Sequence, residues 1–250
     1  MEEKRLSGIL LHPTSLPGRY GIGDLGKSAY DFVDFLHDIG SNLWQTLPLG
    51  PTGYGDSPYQ SFSTFAGNPY LISPDLLLEE GFLHPNDLKE ELDFSDDYVD
   101  YGRVIGWKLN LLERAFIRFT RDPEIDSRDL GIFREKNSDW LEDYALFMAL
   151  KEANGGGSWV GWDENLRNRE EAALNQARSA LKPAINRFVF YQFLFFRQWD
   201  ALHAYAASKN IQIIGDIPIF VSYDSSDVWA NPELFFLDEQ KLPTVVAGVP

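Results

Sequence analysis

The stretch "SGILLHPTSLPGRYGIGDLGKSAYDFVDFLHDIGSNLWQTLPLG", residues 7 to 50, decides the architecture. "SGILLHP" is a short apolar run stopped by Pro13, and "SNLWQTLPLG" is a second, stopped by Pro48 and Gly50; both read as buried strands. Between them, "KSAYDFVDFLHDIG" sets Ala29, Phe32, Val33, Phe35, Leu36 and Ile39 on one helical face, with Ser28 as cap and Gly40 as stop. Strand, helix, strand in that order is a βαβ unit, whose strands run parallel through a right-handed crossover. The expected class is α/β.

Beyond Pro74 the pattern turns helical, in "LNLLERAFIRFT", "WLEDYALFMALKEA" and a long run from Arg169 to Asn210, before "IQIIGDIPIF" restores a strand at residues 211 to 220. A single crossover helix needs far less chain, so residues 75 to 180 are expected to form an inserted, mainly helical subdomain. Residues 1 to 74 then open the sheet, and residues 181 to 250 carry the crossover helix, the third strand and its following loop, with Pro183 dividing two helical pieces. "NGGGSW", residues 154 to 159, reads as a plain connection between helices.

Composition narrows the functional classes. With 44% apolar residues the chain can fill a sizeable core, while 38 acidic against 22 basic residues leave a net charge of -16. Such a surface repels nucleic acid and anionic lipid, so neither is an expected partner. No run approaches the roughly 20 apolar residues of a membrane helix, and the charged start "MEEKRLSGILLHPTS" does not read as a secretory signal, so the expected location is cytoplasmic. The absence of cysteine removes thiol chemistry, and the four histidines never fall at a metal-ligand spacing, so neither a metal nor another cofactor is expected. Aromatic residues make up 14% of the chain; they are either core or rings that face a groove and stack on sugars.

Loops that follow the carboxyl ends of parallel strands carry function. One is "YGDSPYQSFSTFAGNPYLISP", residues 54 to 74, where Gly50, Gly53, Gly55 and Gly67 with Pro51, Pro58 and Pro69 shape the backbone. Tyr54, Ser57, Tyr59, Gln60, Ser61, Ser63 and Asn68 offer rings and neutral hydrogen-bonding groups. The loop is either a wall for a polyhydroxylated ligand or an ordered turn region that satisfies its own backbone. In "IIGDIPIFVSYDSSDVW", residues 213 to 229, Asp216 closes an apolar run and is either a site residue or a structural anchor. Asp224 and Asp227 read as helix caps. His12 has no nucleophile motif beside it and stays unassigned, and "GIGDLG" at residues 21 to 26 lacks the spacing of a phosphate loop.

Taken together, "LLHPTSLPGRYGIGDLG", "WQTLPLGPTGYGDSPYQSFSTFAGNPYLI", "WLEDYALFMALK", "LFFRQW", "IIGDIPIFVSYDSSDVW" and "PTVVAGVP" resemble the amylomaltases, the 4-alpha-glucanotransferases of glycoside hydrolase family 77. The resemblance runs nearly end to end. It implies a (β/α)8 barrel of the TIM type with inserted subdomains, of which only about the first three strands lie in this chain. It implies a retaining transfer of α-1,4-glucan segments between maltooligosaccharides, with no cofactor. It further implies that the loop holding Ser57, Tyr59 and Gln60 lines the sugar groove, that Asp216 lies close to the same sugar, and that Tyr54 and Tyr101 form an outlying glucan site. The nucleophile, the acid/base and the carboxylate that steadies the transition state would all lie after residue 250, which leaves no catalytic residue within the chain. Two other readings stay open: a noncatalytic glucan-binding fragment, and a related α-glucan hydrolase. Three strands standing alone would also expose sheet edges that invite association.

Overall fold

The computed structural model describes residues 5–89, 93–95, 97–122, 125 and 127–245. The chain divides into two units. The first comprises Met1–Leu49, Gly67–Ser127 and Tyr191–Ile217; the second comprises Gly50–Ala66, Arg128–Phe190 and Pro218–Pro250.

In the first unit, strands β1 (Gly8–Leu10), β2 (Leu43–Gln45) and β3 (Gln212–Ile214) form one parallel sheet in the order β1-β2-β3. The expected parallel pairing is present. Each strand is only three residues long, however, and the sheet is buried on one face. Register puts Ile9, Trp44 and Ile213 in a single row, with Trp44 wholly inaccessible and its ring 5.1 Å from Phe32 in an edge-on contact. Side chains alternate between faces along a strand, so Leu10 and Ile214 point the other way and stand 55% and 42% exposed. Past β3, Ile217, Ile219 and Phe220 are exposed, so the strand expected over 211 to 220 ends at Ile214.

Helix α1 (Lys27–Asp38) connects β1 to β2 and buries Ala29, Val33 and Leu36. At about 100° per residue these three share a narrow arc, whereas Ile39 falls on its flank and Phe35 well outside it, and both are exposed. The cap is Gly26 instead of Ser28, whose hydroxyl donates to the Pro17 carbonyl at 2.6 Å. Gly40, at φ +73°, makes the left-handed turn that ends the helix.

Among the described residues eight further α-helices follow: α2 (Pro74–Glu79), α3 (Tyr101–Arg121), α4 (Arg128–Lys136), α5 (Leu141–Ala153), α6 (Glu164–Arg167), α7 (Glu171–Ala180), α8 (Lys182–Ser208) and, after β3, α9 (Ser226–Ala230). Pro183 sits in the first turn of α8, where a missing N–H costs little, and the break before it falls at Leu181. From Tyr191 onward α8 belongs to the first unit. There Gln198 brackets Ser73, accepting from its amide at 2.7 Å and donating to its carbonyl at 3.2 Å, and Gln192 does the same at Gly67 with 2.7 and 2.9 Å. Gly67 must be glycine, because a Cβ at that position would run into the Phe195 ring. No described helix is long and apolar enough to cross a membrane.

The second unit has its own core, centred on Leu141, Phe147, Trp159, Trp162, Val189 and Trp229. Trp162 and Trp229 meet edge to face at 5.7 Å; Trp229 Nε1 donates to the Leu166 carbonyl at 3.0 Å, whereas Trp162 Nε1 is buried with no hydrogen-bond partner among the described residues. The "NGGGSW" connection does more than join helices, because it delivers fully buried Trp159, whose Nε1 donates to the Tyr223 carbonyl at 2.9 Å.

Candidate functional site

Residues 51 to 62 fold into a small hairpin in the second unit. Thr52 and Ser61 pair antiparallel, the Gly53 amide donates to the Gln60 carbonyl at 2.7 Å, and the Phe62 amide donates to the Pro51 carbonyl at 3.3 Å. Its tip is held by Gly55 at φ +67° and by the Tyr59 amide, which donates to Ser57 Oγ at 3.3 Å. Tyr59 stands 42% exposed there and Gln60 is exposed beside it. The Tyr54 side chain lies outside the described residues. Ser61 and Ser63 do not face a ligand: Ser61 Oγ donates to the Ser63 carbonyl at 2.6 Å, and Ser63 Oγ accepts from the Phe65 and Ala66 amides. Asn68, in the first unit, is buried and accepts from the Tyr70 amide at 2.9 Å. The base of the loop thus satisfies its own backbone, while its tip leaves the Tyr59 and Gln60 side chains exposed.

The second segment holds the hairpin. Ser226 gives the Phe62 carbonyl two hydrogen bonds, from its amide at 2.8 Å and from its hydroxyl at 3.1 Å, and Asp227 Oδ2 accepts from the Thr64 amide at 3.0 Å. Burial raises the Asp227 carboxyl above its ordinary range, partly offset by the Thr64 amide. Asp224 accepts from Lys151 Nζ at 2.6 Å, and that ammonium also lies 4.9 Å from the centre of the Phe62 ring. The cap of α9 is Ser225, whose hydroxyl accepts from the Val228 amide at 3.3 Å. Asp224 and Asp227 are therefore not caps. Their partners lie far along the chain, where local pattern reading does not reach.

In the first unit, Asp216 lies two residues past β3, exposed, on the wall of a cavity of about 270 Å³ that it shares with Thr46, Leu47, Leu49, Trp199, His203, Ile213 and Gly215. These residues come from the carboxyl ends of β2 and β3 and from α8, so the cavity sits where parallel sheets place ligands. A larger hollow of about 710 Å³ runs along residues 14 to 23 beside Ser95, Asp97, Tyr98 and Val99; it contains none of the expected site residues. Tyr101 opens α3 of this unit, half-buried.

His12, which the sequence leaves unassigned, hydrogen-bonds within its own loop and to the loop after β2. Its Nδ1 accepts from the Thr14 amide at 3.2 Å, which leaves Nε2 to donate to the Pro48 carbonyl at 3.3 Å, and burial lowers its pKa below the usual histidine value. The "GIGDLG" turn is an anchor as well. Asp24 caps the Gly26 amide at 2.9 Å and pairs with buried Lys108 at 3.3 Å, while Lys108 also donates to the Ile72 carbonyl at 2.8 Å. Among the described residues no three His, Cys, Asp or Glu side chains gather to hold a metal ion.

A family profile described as 4-alpha-glucanotransferase matches residues 11–250. The chain belongs to the 4-alpha-glucanotransferase family. It is 55% identical to the 4-alpha-glucanotransferase of Thermus thermophilus over 100% of this chain and 49% of that protein. It is 43% identical to the chloroplastic/amyloplastic 4-alpha-glucanotransferase of Solanum tuberosum, over 99% of this chain and 44% of that one. Among solved structures, amylomaltase from Streptococcus agalactiae in complex with acarbose superposes with a TM-score of 0.93 at 45% identity, covering 99% of this chain and 50% of that chain. The chain thus spans about half the length of the 4-alpha-glucanotransferases it matches.

Proposed function

We propose that this chain supplies one half of a 4-alpha-glucanotransferase that moves α-1,4-glucan segments between maltooligosaccharides in the cytoplasm. The observation that carries this reading is the likeness, along 99% of the chain, to an amylomaltase solved with acarbose. In this reading β1, β2 and β3 are the first strands of a (β/α)8 barrel, residues 75 to 180 are an inserted helical subdomain, and residues 1 to 74 and 181 to 250 are barrel. The half-open sheet fits, since a barrel turns one face of every strand to helices and the other to a packed interior, which would cover Leu10 and Ile214.

Tyr59, Ser57 and Gln60 then line the sugar groove, with Asp216 near the same sugar. The Tyr59 ring supplies an apolar face for a pyranose and its neighbours supply neutral hydrogen bonds, which suits an uncharged substrate. Tyr54 and Tyr101 serve an outlying glucan site. Retaining transfer needs two carboxyl groups roughly 5 to 5.5 Å apart: one bonds to the anomeric carbon as the other protonates the departing oxygen, and an acceptor hydroxyl later reverses the exchange. Neither group belongs to residues 1 to 250. What these residues contribute is orientation, holding donor and acceptor rings so that a sugar hydroxyl, and not water, meets the intermediate.

Incubating the full-length enzyme with maltotriose tests the proposal. A ladder of maltooligosaccharides longer than maltotriose is expected. Glucose and maltose alone would mean a hydrolase, and binding without turnover would mean a glucan-binding module. The 250-residue chain by itself is expected to give no turnover.

A further inference from the structure

The segment "YDSSDVW" is read above for what it holds together, and that geometry extends to function. Three of its residues act on the hairpin strand that follows Tyr59: Asp224 through the Lys151 ammonium under the Phe62 ring, Ser226 on the Phe62 carbonyl, and Asp227 on the Thr64 amide. The residue between them, Ser225, turns away to cap α9. The contacts fall on Phe62 and Thr64, two residues apart, so they fix both the position and the twist of that strand. The pairing of Gly53 with Gln60 carries the constraint to the tip. Ser226 is buried, which shelters its bonds to the Phe62 carbonyl, while the bond from the Thr64 amide to Asp227 lies nearer to solvent.

We propose that Asp227, with Ser226, is a positioning residue for glucan binding, a clasp that sets where the Tyr59 tip stands. The inference rests on the reading that this tip lines the sugar groove. Asp227 touches no substrate; it acts through Thr64 and the hairpin. Loosening the clasp lets the tip sample other positions, and the share of molecules ready to bind falls in proportion. Affinity suffers, and the chemical step in a bound complex does not.

The test is steady-state kinetics of the full-length enzyme on maltotriose. Asp227→Ala is expected to raise KM about tenfold with kcat within about twofold, the size of effect one charge-assisted hydrogen bond produces. Asp227→Asn keeps an oxygen that can accept from Thr64, so its KM should stay within about threefold of the parent. Ser225→Ala removes the cap and should lower the melting temperature with KM unchanged. An Asp227→Ala enzyme that loses kcat at unchanged KM would overturn the proposal, because that is the signature of fewer folded molecules. If Asp227→Ala does not fold, Ser226→Ala carries the test: it leaves one of the two bonds to Phe62 and should raise KM about threefold, and an unchanged KM would overturn the clasp. Tyr59→Ala separates the two levels. Altered kinetics there with a silent Asp227→Ala sinks the clasp alone, whereas a silent Tyr59→Ala sinks the groove assignment beneath it.

Discussion

Each of the two units anchors a strand-following loop with a buried lysine, and the two anchors differ in depth. In the first unit, Lys108 of α3 reaches Asp24 in the loop after β1 at 3.3 Å, with side-chain exposures of 1% and 13%. In the second, Lys151 of α5 reaches Asp224 in the loop after β3 at 2.6 Å, with exposures of 8% and 30%. Both lysines also donate to a backbone carbonyl, Ile72 at 2.8 Å and Gly157 at 3.3 Å. Burial lowers the Lys108 pKa, and the Asp24 charge works against that shift. The comparison teaches that helices lying between β2 and β3 in the chain hold loops that follow strands, and that the shallower anchor can fall back on water where the deeper one cannot.

Removing each cation measures that difference. Lys108→Met should cost the most, about 3–5 kcal/mol of stability, because it strands the Asp24 carboxylate and the Ile72 carbonyl away from solvent. Lys151→Met should cost less, about 1–3 kcal/mol, since Asp224 retains partial access to water and the Trp159 amide. Thermal unfolding of the two variants decides the order, and equal losses would erase the distinction.

Acid should separate the anchors too. His12 ties the β1 loop to Pro48 as a neutral ring, and its folded pKa lies below the unfolded value of 6.5. Between those two values the unfolded chain binds more protons, so the stability His12 contributes is complete above pH 6.5 and is lost as pH falls below it. Among the described residues, the bonds of Asp224, Ser226 and Asp227 in the loop after β3 go to Lys151, the Trp159 amide, Phe62 and Thr64 and not to an imidazole. Amide protection near Thr14, taken relative to the intrinsic exchange rate at each pH, should therefore fall between pH 7.5 and 5.5, and His12→Asn should remove that dependence. The smallest effect belongs to Thr46, whose hydroxyl is buried with no hydrogen-bond partner among the described residues. Thr46→Val should be neutral or stabilising by up to about 1 kcal/mol, read as a raised melting temperature.

Much of the first unit was legible in the sequence because its signals are local: apolar runs stopped by Pro and Gly, and one helical stripe between them. The limits were local as well. The sequence reading puts Phe35 and Ile39 on one face with Val33, but Phe35 lies about 200° round the helix from it and Ile39 sits at the edge of the buried arc, so the expected stripe is too wide. The strands are shorter than their apolar runs because pairing, and not hydrophobicity, ends them. The rings and neutral polar groups of the loop around Tyr59 could be read from its composition, though not its hairpin pairing, and the family from long matching strings. The clasp could not. Asp227 bonds to Thr64, 163 positions away, and Lys151 to Asp224 at 73, and nothing near either aspartate announces its partner. A turn rich in Asp and Ser looks like a cap, and here only Ser225 is one.

The most direct measurement is a crystal structure of the full-length enzyme soaked with acarbose. The account predicts that one sugar of the inhibitor lies against the Tyr59 ring with the Asp216 carboxylate beside the same sugar. An inhibitor bound elsewhere, with both side chains out of reach, would contradict it.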